Sequence, residues 1–232
     1  MNYRPLVKAR FIKRLNRFIA EVDLDGTVVK VHVKNTGRCR ELFIEGVQVF
    51  LEPSDNPNRK TKYSLVSLYK GDQLINIDSQ VPNQVVFESL LAGQLKEVQD
   101  VTYAKREVTY GKSRFDIYYE TATSKGFIEV KGVTLEEDGL AMFPDAPTER
   151  GARHVEELTQ GLKEGYVNYV CFLIQINNVK VFRPHHERDL ALANKVYEGQ
   201  AQGLGVMVYN CHVTEMGIAL NESCQLLKKS YD

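Results

Sequence analysis

The sequence predicts an α/β (mixed) protein with an N-terminal all-β domain, and three observations carry that prediction. Up to about residue 81 apolar and polar residues alternate in short runs; after Pro82 the apolar spacing changes to three and four; the last third alternates helical stretches with apolar strands. A period of two belongs to half-buried strands and a period near 3.6 to amphipathic helices, so the change marks a boundary. We expect an all-β domain over 1–81 and an α/β domain over 82–232.

In the first part, "FIAEVDLDGTVVKVHVKN" is two alternating runs around Asp25-Gly26, a dipeptide that supplies the positive φ of a tight hairpin turn. "VQVFLEP" and "KYSLVSLYKGDQLINID" add about three strands, separated by the polar loop "PSDNPNRKTK". Several short strands with no helical pattern fit a small closed barrel that leaves few edges exposed. An OB-like barrel is expected, with an SH3-like barrel or a sheet continuous with the second half as alternatives.

In the second part, "NQVVFESLLAGQL" offers Asn83 as a helix N-cap and Gly93 as a terminator. Alternating runs at 101–109, 114–121 and 126–133 then form an antiparallel meander. "PTERGARHVEELTQGLKEG" is an amphipathic helix starting at Pro147 or Thr148 and ending at Gly165, and "YVNYVCFLIQI" reads as a strand covered on both faces. A further helix in "ERDLALANKVYEGQAQG", a strand in "LGVMVYNCHV" and late edge strands in "GIALN" and "CQLLKK" complete the layer. The apolar "VYNCHVTEMGIALN" is either a core hairpin or the edge of a homodimer.

The 232 residues carry 30 basic and 30 acidic side chains, but unevenly. Residues 1–80 hold 14 Lys or Arg against 9 Asp or Glu, and six basic residues, Arg4 to Arg17, precede the first acid. Such a segment attracts phosphate backbones, although a solvated strand face explains it equally well. The start of the chain lacks the apolar core of a signal peptide, and no run of about 18 apolar residues follows. Four scattered cysteines suggest neither disulfides nor zinc, so a reduced, cytoplasmic protein with no membrane partner is expected.

"SRFDIYYETATSKGFIEVKGVTL" carries the chemistry. Antiparallel pairing brings Asp116 close to Glu129, while Glu129 and Lys131, two apart on a strand, share a face. Two facing carboxylates repel; a hard divalent cation, Mg²⁺ or Mn²⁺, relieves the repulsion and polarises a phosphate, with Lys131 stabilising developing charge. Taken alone an acid-x-Lys triplet is more often a solvated surface pair. The context adds Glu88 from the preceding helix as a third acid, and Arg150 and His154 on one face of the following helix.

In order and spacing, "NTGRCREL", "YGKSRFDIYY", "FIEVKGVTL" and "MFPDAPTERGARHVEEL" resemble the sugar fermentation stimulation protein A family over essentially the whole chain. The resemblance implies an OB-like barrel followed by a domain similar to the PD-(D/E)XK nucleases, and DNA binding without strong sequence preference. It assigns Asp116 as the motif aspartate, Glu129 and Lys131 as the E-x-K pair and Glu88 as the helix acid, with Asp116, Glu129 and Glu88 on the metal. The residues expected to meet nucleic acid are Arg10, Lys13, Arg14 and Arg17, the turn residues Asn35, Thr36 and Arg38, and Arg114, Arg150 and His154. The implied function is a DNA-binding protein with a Mg²⁺-dependent phosphodiesterase site; alternatives are a non-catalytic DNA-binding regulator of sugar metabolism and a small-molecule phosphohydrolase.

Overall fold

A computed structural model describes residues 1–35, 37 and 39–228. Six strands open the chain: β1 (Val7–Asn16), β2 (Ile19–Leu24), β3 (Thr27–Val33), β4 (Gln48–Pro53), β5 (Tyr63–Lys70) and β6 (Gln73–Asn76). They run in the order β3-β2-β1-β4-β5-β6, and a parallel pairing of β3 with β5 closes the barrel. Asp25 and Gly26 both have positive φ, 50° and 80°, and turn β2 into β3 as the dipeptide predicts. The barrel core is built from Phe11, Val22, Val31, Leu51 and Leu65, the inward members of alternating strands.

A β-bulge between Phe11 and Lys13 breaks the alternation of β1. Up to that point Lys8 and Arg10 face solvent; beyond it Lys13 faces out and Arg14 turns inward, opposite the buried Ala20. Counting by twos from Arg10 therefore misplaces Arg14.

The second domain is built on a six-stranded mixed sheet in the order β15-β14-β12-β9-β8-β7. Its meander is β7 (Tyr103–Tyr110), β8 (Ser113–Glu120) and β9 (Lys125–Val133), and β12 (Tyr169–Ile174) lies parallel to both β9 and β14 (Gly205–Thr214). Buried between two parallel partners, β12 is apolar on both faces, as its near-continuous run requires. β15 (Gly217–Ser223) pairs with β14 in a hairpin whose Cys211, Val213 and Ile218 are buried, and β15 forms the outer strand of the sheet. β10 (Leu135–Glu137), β11 (Leu140–Phe143), β13 (Val181–Pro184) and β16 (Gln225–Leu226) form a smaller sheet.

Helix α1 (Val81–Leu91) covers one face of the six-stranded sheet; α2 (Glu149–Gly161) and α3 (Leu190–Ala201) cover the other. Thr148 caps α2 by accepting the Gly151 N–H at 3.0 Å, and a 3₁₀ turn ends at Gly165 with φ 85°. The start of α1 differs from expectation. Gln80 is its N-cap, without a side-chain cap, and Asn83 lies inside the helix with its side chain turned toward β8. Pro82 fits in the first turn because its missing N–H has no intrahelical acceptor there, so the helix begins three residues earlier than an Asn83 cap implies.

The barrel and the second domain share buried surface rather than joining through a linker. Val66 of β5 packs with α1 residues such as Val85. Gln175 donates its amide hydrogens to Asn76 Oδ1 at 2.8 Å and to the Asp78 carbonyl at 3.1 Å, while the Asn76 N–H donates to the Gln175 carbonyl. Among the described residues no helix is long and apolar enough to cross a membrane, and the four cysteines are free thiols.

Candidate active site

The ladder between β8 and β9 ends at Ile117–Ile128, one pair short of Asp116 and Glu129. Phe115 packs on the α2 side of the sheet and Ile117 on the α1 side, so side-chain alternation breaks at Asp116. Opposite it on β7, Glu107 takes a left-handed φ of 56°. The strands part here, and the Asp116 carboxylate fills the gap: Oδ2 accepts the Val130 N–H at 2.8 Å and Oδ1 accepts the Asn83 amide at 2.6 Å. Asn83, read from sequence as a cap, is thus part of the site.

Glu129 and Lys131 point to the α2 side, as their spacing requires. Lys131 Nζ donates to Glu129 Oε1 at 2.6 Å, and His154 Nδ1 lies 2.6 Å from the same oxygen. The Arg150 Nε–H donates to His154 Nε2 at 3.3 Å, which leaves the imidazole proton on Nδ1 and makes it the donor to Glu129. Glu129 Oε2 is buried and has no hydrogen-bond partner.

The two carboxyls respond in opposite directions. Burial, then the Glu129 charge, pushes Asp116 up to about 6 against the pull of the Val130 N–H, Lys131 and Asn83. Burial alone would raise Glu129 too, but the hydrogen bonds and charges of His154 and Lys131 overcome it and hold the carboxyl below its usual value.

Other expected site residues fall elsewhere. Glu88 is exposed, on a different face of α1 from Asn83; it accepts from Gln84 at 2.8 Å and pairs with the Met1 ammonium at 3.3 Å. Five residues along a helix is about 140° of rotation, so Glu88 does not join the carboxylates as a catalytic or metal-binding group. His154 is only 2% exposed, so it orients Glu129 rather than meeting a nucleic acid surface. Arg14 spends its guanidinium on the carbonyls of Gly37, Asn35 and Arg17 at 2.5–2.7 Å and stacks 4.6 Å from the Phe43 ring centroid. It is a clamp on the turn between β3 and β4. Asn35 folds that turn, accepting the Gly37 N–H and donating to the Ile77 carbonyl. Thr36 and Arg38 lie outside the described residues. Arg10, Lys13, Arg17, Arg114 and Arg150 are exposed, with Arg17 5.9 Å from the Phe18 ring and Arg114 3.7 Å from Glu107.

Among the described residues no group of three or more His, Cys, Asp or Glu side chains is arranged to hold a metal ion. Two carboxylates, one of them with Oε2 buried and without a hydrogen-bond partner, are the kind of donor set that suits a hard cation keeping several waters.

An OB barrel fused to a mixed-sheet domain, with an acid, acid and lysine cluster where two strands part, defines the class. Family models match both parts: the SfsA N-terminal OB domain over residues 12–77 and the sugar fermentation stimulation protein RE domain over 80–217. The chain belongs to the sugar fermentation stimulation protein (SfsA) family. A sugar fermentation stimulation protein homolog of Alkaliphilus oremlandii (strain OhILAs) is 51% identical over 227 residues, covering 96% of this chain and 97% of the relative. One from Clostridium beijerinckii (strain ATCC 51743 / NCIMB 8052) is 48% identical over 222 residues, with 96% and 97% covered. The structure of Pyrococcus furiosus SfsA in complex with Ca²⁺ matches with a TM-score of 0.89 at 26% identity, covering 98% of each chain.

Proposed function

We propose that this protein binds DNA with little sequence preference and hydrolyses phosphodiester bonds with a divalent cation at Asp116 and Glu129. The observation that carries the reading is Glu129 Oε2, a buried carboxylate oxygen without a partner beside a second carboxyl pushed up to about 6. Leaving an acceptor buried and unpaired costs about 1–3 kcal/mol, so the fold bears a cost that a bound cation removes. The Ca²⁺ complex of the Pyrococcus furiosus relative supports a cation in this family, with Mg²⁺ or Mn²⁺ proposed for this chain.

Asp116 and Glu129 would hold the ion, which supplies phosphate polarisation and activation of water. The chain does the rest. Lys131, its side chain 15% exposed, would face the reacting phosphate and stabilise charge that develops on its oxygens. His154 keeps Glu129 ionised and oriented, and Asn83 fixes Asp116. Arg150, exposed at the start of α2, and the basic edge of β1 at Arg10, Lys13 and Arg17 engage neighbouring backbone phosphates. A reducing cytoplasm is the proposed location, in keeping with the free thiols.

Purified protein is expected to cut single-stranded, duplex or branched DNA with Mg²⁺ or Mn²⁺, and Glu129→Ala and Lys131→Ala are expected to abolish cutting while DNA affinity is retained. Absence of cutting on all of these substrates and on RNA, with either metal, rejects the hydrolytic reading in favour of a non-catalytic DNA binder.

A further inference from the structure

The turn between β1 and β2 is built unlike the other hairpin turns. Those at Asp25-Gly26, Gly71-Asp72 and Gly111-Lys112 each use a glycine with positive φ. Here Arg17 and Phe18 make the turn; Phe18 is 48% exposed, and Leu15, just before it, is 43% exposed. Large apolar side chains on a solvent-facing turn forgo the burial that stabilises a fold.

The backbone that displays them is fixed. Asn16 Oδ1 accepts the N–H groups of Phe18 at 2.8 Å and Ile19 at 3.1 Å. Arg14 donates to the Arg17 carbonyl at 2.7 Å, and the Val33 N–H of β3 donates to the Phe18 carbonyl at 2.8 Å. The tip is therefore held from both sides while its side chains face water. The Arg17 guanidinium carbon lies 5.9 Å from the Phe18 ring centroid, within reach of a cation–π contact.

The charge around the ring has one sign. Lys13 is paired with Glu21 at 3.5 Å, but Arg17 makes no ion pair among the described residues. Ile19 pairs with His32 of β3, and His32 with Ser64 of β5, whose hydroxyl accepts from Arg59 at 2.8 Å. A second guanidinium without a carboxylate partner among the described residues is thus anchored two strands, about 10 Å, from Ile19.

We propose that this turn is a stacking platform for an unpaired base of single-stranded nucleic acid, with Phe18 against the base and Arg17 on the adjoining phosphate. An aromatic face beside a cation holds bases irrespective of sequence, because every base has a π-face and every linkage a charge. Bases inside a duplex are already stacked on their neighbours, so the turn selects unpaired strand. The inference rests on the nucleic-acid-binding part of the reading above and not on hydrolysis.

The test is fluorescence anisotropy of the full chain with labelled oligothymidylate, with an abasic strand of the same length, and with the duplex of oligothymidylate and oligodeoxyadenylate. Phe18→Ala is expected to weaken oligothymidylate binding about tenfold, the effect of one stacked base, and Phe18→Leu to do the same. Phe18→Tyr is expected to keep the natural affinity, and abasic strand and duplex to bind all these proteins equally. Val28→Ala, which removes a 62% exposed apolar side chain from β3, is expected to change nothing. Unchanged oligothymidylate affinity in a Phe18→Ala protein that melts like the natural one overturns the inference. Equal weakening on the abasic strand overturns it too, and so does a Phe18-dependent dimer in sedimentation without base-dependent binding, which assigns the turn to a second copy. Binding that is insensitive to Phe18 rejects the turn alone, whereas a natural chain that binds neither single strand nor duplex rejects the DNA-binding reading with it.

Discussion

His154 Nδ1 lies 2.6 Å from Glu129 Oε1, joining α2 to β9 through a bond in which both side chains are almost completely buried. The bond is one of two that keep a buried carboxyl ionised. Its removal in His154→Ala leaves burial to dominate and moves the Glu129 carboxyl upward. Hydrogen bonds to charged groups contribute about 1.5–3 kcal/mol, so a loss of that size is expected at pH 7 by urea denaturation, with a smaller loss in His154→Asn. The sign of its pH dependence follows from the depressed value of Glu129. The stability it contributes is present above the ordinary 4.5 and is lost as pH falls through the lowered value. The difference between the natural chain and His154→Ala should therefore narrow on acidification below about 4.5.

Asp116 behaves in the opposite sense. Its carboxyl is pushed from 3.8 to about 6, so between those values the folded protein binds the extra proton and stability falls as pH rises. A cation at the proposed site would compete for the same oxygens, and its binding would require the deprotonated form. Affinity for Mn²⁺ is expected to rise steeply up to about pH 6 and then level off. Glu129→Gln removes the neighbouring charge and should bring the Asp116 titration down, measured by the ¹³C shift of its carboxyl carbon across pH.

Much of this arrangement is legible in the residues, because strand geometry is periodic. Glu129 and Lys131 share a face by spacing alone, and an acid inside "RFDIYY" is conspicuous among apolar neighbours. The same logic applied to "YVCFLIQI" singles out Gln175, a polar residue in an apolar run, which proves to bridge the domains. What period cannot reveal is where it breaks. The bulge at Phe11/Lys13 turns Arg14 inward, and the parting of β8 and β9 frees Asp116 to reach Asn83 and Val130. Membership of the helix that precedes the meander suggests Glu88 as a third acid, but membership does not fix the face a residue occupies, and helical rotation carries it away from Asn83.

Arg14 and Arg17 are neighbours in sequence with different work, and substitution should separate them. Arg14→Ala removes the clamp on the Asn35 and Gly37 carbonyls, so the expected result is a lower melting temperature, with the slope of log affinity for DNA against log salt changed only weakly. Arg17 is exposed at the β1–β2 turn beside Phe18, which is 48% exposed. Arg17→Ala should leave melting unchanged and reduce the salt slope by about one, the signature of a single lost phosphate contact. Fluorescence anisotropy of labelled DNA over a salt series reads both.

The Asn83 amide supplies a hydrogen to Asp116 Oδ1 at 2.6 Å where a third carboxylate would repel it. Asn83→Asp is nearly isosteric, so packing is kept while the donor becomes an acceptor with charge. Without metal this variant should melt below the natural chain at pH 7, because the added acid stands beside the carboxylates of Asp116 and Glu129. Asn83→Ala loses the same hydrogen bond but adds no charge. If a cation binds between these carboxylates, Mn²⁺ should raise the melting temperature of Asn83→Asp more than that of the natural chain, since the ion neutralises the added repulsion. It should raise that of Asn83→Ala no more than that of the natural chain. Equal Mn²⁺ responses in all three proteins, measured by differential scanning calorimetry, would place the cation away from Asn83 and remove Asp116 from its coordination.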